Sequence, residues 1–328
     1  MREGQKKAKI LYLMKILLER TDENNGLTME QIIEALDGYG IEAERKSLYA
    51  DIRVLKDFGI DIQMEKHDHN GYYHVVSREF ELAELKLLVD SVQSARFITR
   101  KKSNQLIGKL EGLASKNDAR ELQHQVFVTE RVKSNNEKIL YNIDAIHKAI
   151  EGNRVITFRY FKWNTHKKPE FRHGGEKYEM SPWAMTLVEE NYYLLAYDSR
   201  VDMIKYFRID KMQDIEFIDK PRAGKKSFKS FDVGEYARKR FRMYDGPESI
   251  VRLRCSDAFA DVIFDRFGKD VMLHSVDNGC FAVNVSVALS RQFYAWVLAM
   301  NDNVKVAGPS AVVSEVRDFV RELGRTYQ

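Results

Sequence analysis

Apolar residues recur three and four positions apart through the first sixty residues, and the spacing then changes to every second position. Ile10, Leu13, Met14 and Leu17 follow helical spacing and predict an amphipathic helix over about residues 6–20. The stretch DENNG breaks it. Thr28 and Gln31 stand in the S/T-x-x-E/Q relation, which predicts a second helix capped by Thr28 in TMEQIIEAL. A third helix is predicted in ERKSLYADIRVLKDFG, residues 44–59. Ile60, Ile62 and Met64 then alternate with polar neighbours, as do Tyr73 and Val75, with Asn70-Gly71 between them as a hairpin turn. Three helices and a β-hairpin predict a winged helix-turn-helix over residues 1–78.

Helical spacing returns between about 80 and 122, carried by Leu82, Leu85, Leu88, Val89 and Val92, then by Leu106, Leu110 and Leu113. This predicts a helical linker over 79–135, with the basic TRKK as a solvated turn inside it. From Ile139 the period changes again. One helix, ILYNIDAIHKAIEGN, precedes five short strands in VITFRYFKW, KYEMSPWAMTLVEE, YYLLAYD, MIKYFRID and DIEFI. They are spaced like a small antiparallel β-barrel over 136–222, with Glu190-Asn191 near one hairpin tip. The remainder, 223–328, starts with the linker VGEYARKRFRMYDGPES. A β-α-β-β-α-β-α order follows, which predicts a C-terminal α+β sandwich of the ferredoxin-like kind. The fold class is therefore α+β and multidomain.

Composition narrows the classes. With 328 residues and 44% hydrophobic residues, the chain holds enough apolar material for several cores. Two cysteines, Cys255 and Cys280, exclude a disulfide framework and fit a reducing cytoplasm. The basic N-terminus has an apolar run broken by Lys15 and no cleavage site, so no signal peptide is expected. No apolar stretch approaches the ~18 residues of a membrane span. The net charge of +4 is mild, and residues 1–78 hold 12 Lys and Arg against 14 Asp and Glu. Any DNA contact there must come from charge sorted onto one face.

The third helix sorts its charge in that way. At about 100° per residue, with Arg45 at zero, Lys56 falls near 20°, Tyr49 near 40°, Arg53 near 80° and Lys46 near 100°. Leu48, Ile52 and Leu55 fall between about 280° and 340°. The apolar stripe is expected to dock on the first two helices and the basic-aromatic stripe to face outward. Arg45, Lys46, Ser47, Tyr49, Arg53 and Lys56 are the candidate duplex-DNA contacts, with Lys66 added from the wing. Arg and Lys suit guanine edges and phosphates, while Tyr and Ser suit phosphate oxygens. A small winged domain that binds protein instead is the plainer alternative. His67 and His69 at the wing tip have no third ligand nearby, so no metal site is expected.

KSLYADIRVLKDFGIDI resembles the recognition helix and wing start of the DeoR-like regulators that carry a WYL domain. Ala50 stands where that family usually has Arg, and Glu44 where a Ser cap is common. The centre resembles the WYL domain itself. Its Trp-Tyr-Leu tripeptide reads Tyr192-Tyr193-Leu194 here, and its Arg-x-Phe-Arg-aliphatic-Asp-Arg strand reads KYFRIDKM, residues 205–212. Pro182 and Tyr160 fit two further positions. The resemblance implies an Sm/SH3-like barrel, a nucleotide or single-stranded nucleic-acid effector, and a C-terminal extension. It also implies a helical linker that supports a homodimer.

Strand alternation puts Tyr206 and Arg208 on one face and Lys205, Phe207 and Ile209 on the other. Tyr160, Tyr193, Lys205, Tyr206, Arg208 and Lys211 are the candidate ligand residues, with Arg208 the leading cation beside aromatic rings. Lys205 has the wrong parity unless a bulge intervenes. No P-loop, G-x-S-x-G, H-E-x-x-H or paired C-x-x-C occurs, so neither an enzyme nor a cofactor is expected. The reading is a cytoplasmic transcriptional regulator. Its alternative is an RNA- or nucleotide-binding module whose winged domain mediates protein contacts.

Overall fold

A computed structural model describes residues 3–122, 133, 136–229, 231–277 and 279–327. The end of the expected linker, 123–132, lies outside the described residues. The chain forms two compact units, Met1–Glu137 and Lys138–Gln328.

The first unit opens with α1 (Glu3–Arg20), a two-residue strand β1 (Leu27–Thr28), α2 (Met29–Asp37) and α3 (Arg45–Asp57). The hairpin β2 (Ile62–His67) and β3 (Asn70–Val75) follows, with β1 paired to β3 in a three-stranded sheet. Thr28 caps α2 with the reciprocal Gln31 bond expected of a capping box. Leu48, Ile52 and Leu55 of α3 are buried against Leu13, Ile16 and Leu17 of α1 and Ile32 and Leu36 of α2. Each fully buried Leu or Ile is worth roughly 1.5–3 kcal/mol relative to exposure. Gly59 closes α3. Its N–H donates to Lys56 O at 2.9 Å and Ile60 N–H to Leu55 O at 3.0 Å, a Schellman motif that needs the left-handed φ of 108°.

The hairpin turn differs from expectation. Asp68-His69, at φ 46° and 67°, forms the two-residue loop, and Asn70 and Gly71 sit in β3. The register decides this. It sets Ile62 opposite Val75, so the two buried residues meet.

Three more helices complete the first unit: α4 (Leu82–Ser94), α5 (Arg100–Glu111) and α6 (Lys116–Leu122). The TRKK stretch is not a turn. Thr99 caps α5 and the basic residues form its first turn. Asp22, after α1, accepts from Ser115 Oγ at 2.7 Å and Asn25 Nδ2 at 2.6 Å. Burial pushes its carboxyl up, but these bonds, with those from Asn117 and Asn24, bring it below the ordinary value.

The second unit begins with α7 (Ile139–Glu151). Six strands follow: β4 (Arg154–Trp163), β5 (Pro169–Phe171), β6 (Tyr178–Val188), β7 (Asn191–Asp198), β8 (Met203–Arg208) and β9 (Met212–Pro221). The antiparallel sheet runs β5-β4-β6-β7-β8, and β9 returns to pair with β4, so the sheet curls. The short β5 was not expected from the sequence. Phe158, fully buried, stacks on Tyr178 at 5.5 Å and meets Phe207 edge-on at 5.1 Å inside the curl. The β6–β7 loop is Glu189-Glu190, at φ 44° and 63°, one residue before the expected tip, because Val188 pairs with Asn191.

A strap leaves this sheet through α8 (Lys225–Lys229) and α9 (Val233–Lys239). Phe228 stacks on Trp183 at 5.4 Å, and the Arg222 guanidinium lies 4.1 Å from the Trp183 ring. Gly224 permits the approach, since a Cβ there would stand 2.3 Å from Tyr197. The last part is β10 (Glu248–Ser256), α10 (Ala260–Phe267), β11 (Leu273–Asp277), β12 (Cys280–Ala288), α11 (Arg291–Ala299), β13 (Val304–Gly308) and α12 (Ser310–Thr326). Its antiparallel sheet runs β11-β12-β10-β13, and Val251, Leu253, Phe281, Val283 and Val285 pack under the helices. Among the described residues no helix is long and apolar enough to cross a membrane.

Candidate nucleic-acid interface and ligand face

Arg45, Lys46, Tyr49, Arg53 and Lys56 are all exposed on α3, opposite the buried Leu48, Ile52 and Leu55. The side chains of Lys46, Arg53 and Lys56 make no ion pair or hydrogen bond with any described residue, and neither does that of Lys66, exposed on β2. Arg45 is engaged. Its Nη1 lies 3.1 Å from Glu30 Oε1, and its Nε donates to Tyr49 Oη at 3.2 Å. Tyr49 in turn meets Tyr73 of β3 at 6.5 Å.

Ser47 departs from the expected outward role. Its hydroxyl donates to Glu44 O at 2.8 Å and accepts from Lys9 Nζ at 2.9 Å. Lys9 is only 5% exposed, and its ammonium also lies 2.7 Å from Asp51 Oδ2. A buried ammonium requires such partners, so the hydroxyl is committed to the fold. Glu44 gives α3 no side-chain cap, and its carbonyl takes the Ser47 hydroxyl alongside the Leu48 N–H.

On the curled sheet, Tyr193 and Arg208 are direct cross-strand partners. Tyr160 reaches them from β4, its hydroxyl accepting the Arg208 backbone N–H at 3.2 Å. Burial pushes the Tyr160 phenol up to about 12. Lys211 lies in the short 3-10 turn after β8, its ammonium pulled below the ordinary value by burial first and then by Arg208 and Arg172. The structure thus brings Tyr160, Tyr193, Arg208 and Lys211 together.

Four candidates need correction. Arg208 is not an open cation: its Nε and Nη2 fork onto Asp210 at 3.0 and 2.9 Å. Tyr193 is 7% exposed and offers no free stacking surface, and Tyr206 is half-buried against Tyr236 of α9 at 6.4 Å. Lys205 points away from Arg208, and its Nζ donates to Asp198 Oδ2 at 2.8 Å. Asp198 is 1% exposed. Burial raises its carboxyl, but bonds from Lys205 and Arg200 outweigh this and take it down to about 2.

The basic linker is a docking element. Arg240, 6% exposed, lies over the Tyr236 ring at 3.4 Å and bonds Asp245 at 2.9 Å and Glu248 at 3.1 Å. One residue escaped the sequence reading. Arg172 stands over the Tyr160 ring with 5.5 Å to the centroid, in a turn built from Arg-His-Gly-Gly. The Gly pair before the Tyr178 strand was the available signal. Arg172 and Arg208 thus both meet Tyr160, and Lys211 lies near enough for both to lower its ammonium, with Asp210 as the carboxylate among them.

Residues 141–217 match the WYL domain. The tripeptide, β8, the 3-10 turn and most of β9 fall inside that stretch. No curated protein matches the chain. Among solved structures it is similar to proteasome accessory factor B/C (PafBC) of Arthrobacter aurescens, with 18% identity, 96% of this chain and 48% of that one covered, and a TM-score of 0.29. It is also similar to a CRISPR Cas-related protein, with 13% identity, 75% and 70% covered, and a TM-score of 0.37. The chain spans about half the length of the PafBC chain it matches.

Proposed function

We propose that this protein is a cytoplasmic transcriptional regulator with a winged helix-turn-helix formed by α1 to α3 and the β2–β3 hairpin. It binds duplex DNA through α3, with Lys66 of the wing on the backbone. Its WYL domain, an Sm/SH3-like barrel, binds a nucleotide or single-stranded nucleic acid, and the ferredoxin-like C-terminal part closes the second unit. Two copies would bind half-sites about one helical turn apart. The effector acts by favouring one state of the dimer over another. No catalytic step or cofactor is part of the reading.

One observation carries it: the side chains of Lys46, Arg53 and Lys56 stand exposed on α3 without a partner among the described residues, while the opposite stripe of that helix is consumed by the core. A face of unneutralised cations is what phosphate contacts require. The decisive experiment selects duplex fragments with the purified protein and titrates them across a salt series with wild type and Arg53→Ala. Unchanged affinity and unchanged salt slope would rule out the regulator. Lys211→Ala should spare duplex binding and weaken effector binding.

A second reading has its own support. Val54 of α3 and Phe58, which caps its C-terminus, are 53% and 77% exposed, an apolar edge that suits protein contact. If Phe58→Ser abolishes partner binding while duplex binding is absent throughout, the winged domain mediates protein contacts instead.

A further inference from the structure

We propose that Arg172 is the residue that captures a phosphate on the ligand face of the WYL domain, and that Arg208 is a positioning residue beside it. The inference rests on the effector reading above and assigns the roles within that face. Arg208 has two of its guanidinium nitrogens forked onto Asp210, and its backbone N–H holds the Tyr160 hydroxyl. That geometry fixes the end of β8 against β4 and leaves little of the charge for a ligand. Arg172 differs in every respect. It is exposed, and it forms no ion pair with any described carboxylate. Its contact with Tyr160 is to the ring face, which attracts the cation without using its N–H donors.

The turn that carries Arg172 is unusual in the chain. His173, Gly174 and Gly175 have φ of 50°, 62° and 91° in succession. The β4–β5 register sets Phe161 opposite Phe171, so Arg172, the next residue, arrives beside Tyr160, and the three left-handed residues then turn the chain back toward β6. A cation with free donors beside a phenol and next to Lys211 fits a phosphate attached to an aromatic base. A free nucleotide and a single strand share that chemistry.

The test uses the full chain and two probes, a fluorescein-labelled short oligothymidylate and thymidine monophosphate as competitor. Arg172→Ala should weaken binding of whichever probe wild type binds by about tenfold or more, with an unchanged melting temperature. For the strand, one lost phosphate contact should reduce the log-log salt slope by about 0.7. Arg172→Lys should recover part of the affinity, because charge is kept and the fork lost. Arg208→Lys should lower the melting temperature. Competition by the monophosphate identifies a nucleotide site, and binding of the oligomer alone identifies a strand site. Wild-type affinity in Arg172→Ala, together with lost binding and full stability in Arg208→Ala, overturns the inference and leaves the effector site standing. Wild type that binds neither probe overturns the effector site itself.

Discussion

Two sets of cations teach opposite lessons. On α3, Lys46, Arg53 and Lys56 are exposed and have no partner among the described residues. On and around β8, Lys205 and Arg208 each meet a carboxylate, Asp198 and Asp210. Both stretches read as basic and aromatic in sequence. Only the first keeps its charge available: among the described residues the ion pair on that stripe is Arg45 with Glu30, and Lys46, Arg53 and Lys56 enter none. In the second, the fold has taken the charge to hold strands and turns together. A basic residue in a motif is therefore evidence of binding only after its local carboxylates have been counted.

Breaking the structural pairing should produce the largest effect. Asp198→Ala leaves Lys205 and Arg200 without their buried carboxylate and should cost roughly 2–4 kcal/mol of stability, discounted for the partial exposure of Lys205. Chemical denaturation followed at the second unit checks it. Wild type carries the same signature in acid. A carboxyl lowered from 3.8 to about 2 contributes stability above about pH 4 and loses it as pH falls toward 2. The wild-type melting curve should therefore steepen its decline in that window, and Asp198→Asn should flatten it.

Lys9→Met comes next. It removes the ammonium that ties Ser47 and Asp51 of α3 to α1, leaves the Asp51 carboxylate without its ion pair, and should cost about 1–2 kcal/mol. A fall in the melting temperature of the first unit checks it, and an unchanged one would show that the ammonium is not a tie. Arg53→Ala should lower duplex affinity about tenfold, near 1.4 kcal/mol, with stability unchanged. If stability falls with affinity, the contrast between free and committed cations collapses. Glu30→Gln has the smallest effect. It frees Arg45 from an exposed competitor and should tighten duplex binding by about twofold or less.

The hairpins show why some local features could not be read. Asn70-Gly71 is the better turn dipeptide, yet Asp68-His69 takes the left-handed positions. Glu189-Glu190 does the same at the β6–β7 tip. In both, pairing across the strands chose the loop, and a dipeptide preference worth little gave way to buried side chains meeting. Arg172 was missed for a related reason. It is distant in sequence from β8 and belongs to no motif there, and the pairing of β4 with the unexpected β5 is what carries it to Tyr160. Lys205, by contrast, was legible as doubtful from strand parity alone, and the structure sends it to Asp198 as that parity requires.

Local sequence alone determined α1 to α4, the capping of α2 by Thr28, the two stripes of α3, and the order of strands and helices after residue 248. These follow from the fixed repeats of 3.6 and 2, which act over a few neighbouring residues. Tertiary structure alone decided which cations remain free: Asp198 reaches Lys205, Lys9 reaches Ser47, and Arg172 reaches Tyr160 through contacts the local repeat does not encode. Charge is cancelled by whatever lies within a few ångströms in space, and that distance is set by packing, not by position along the chain.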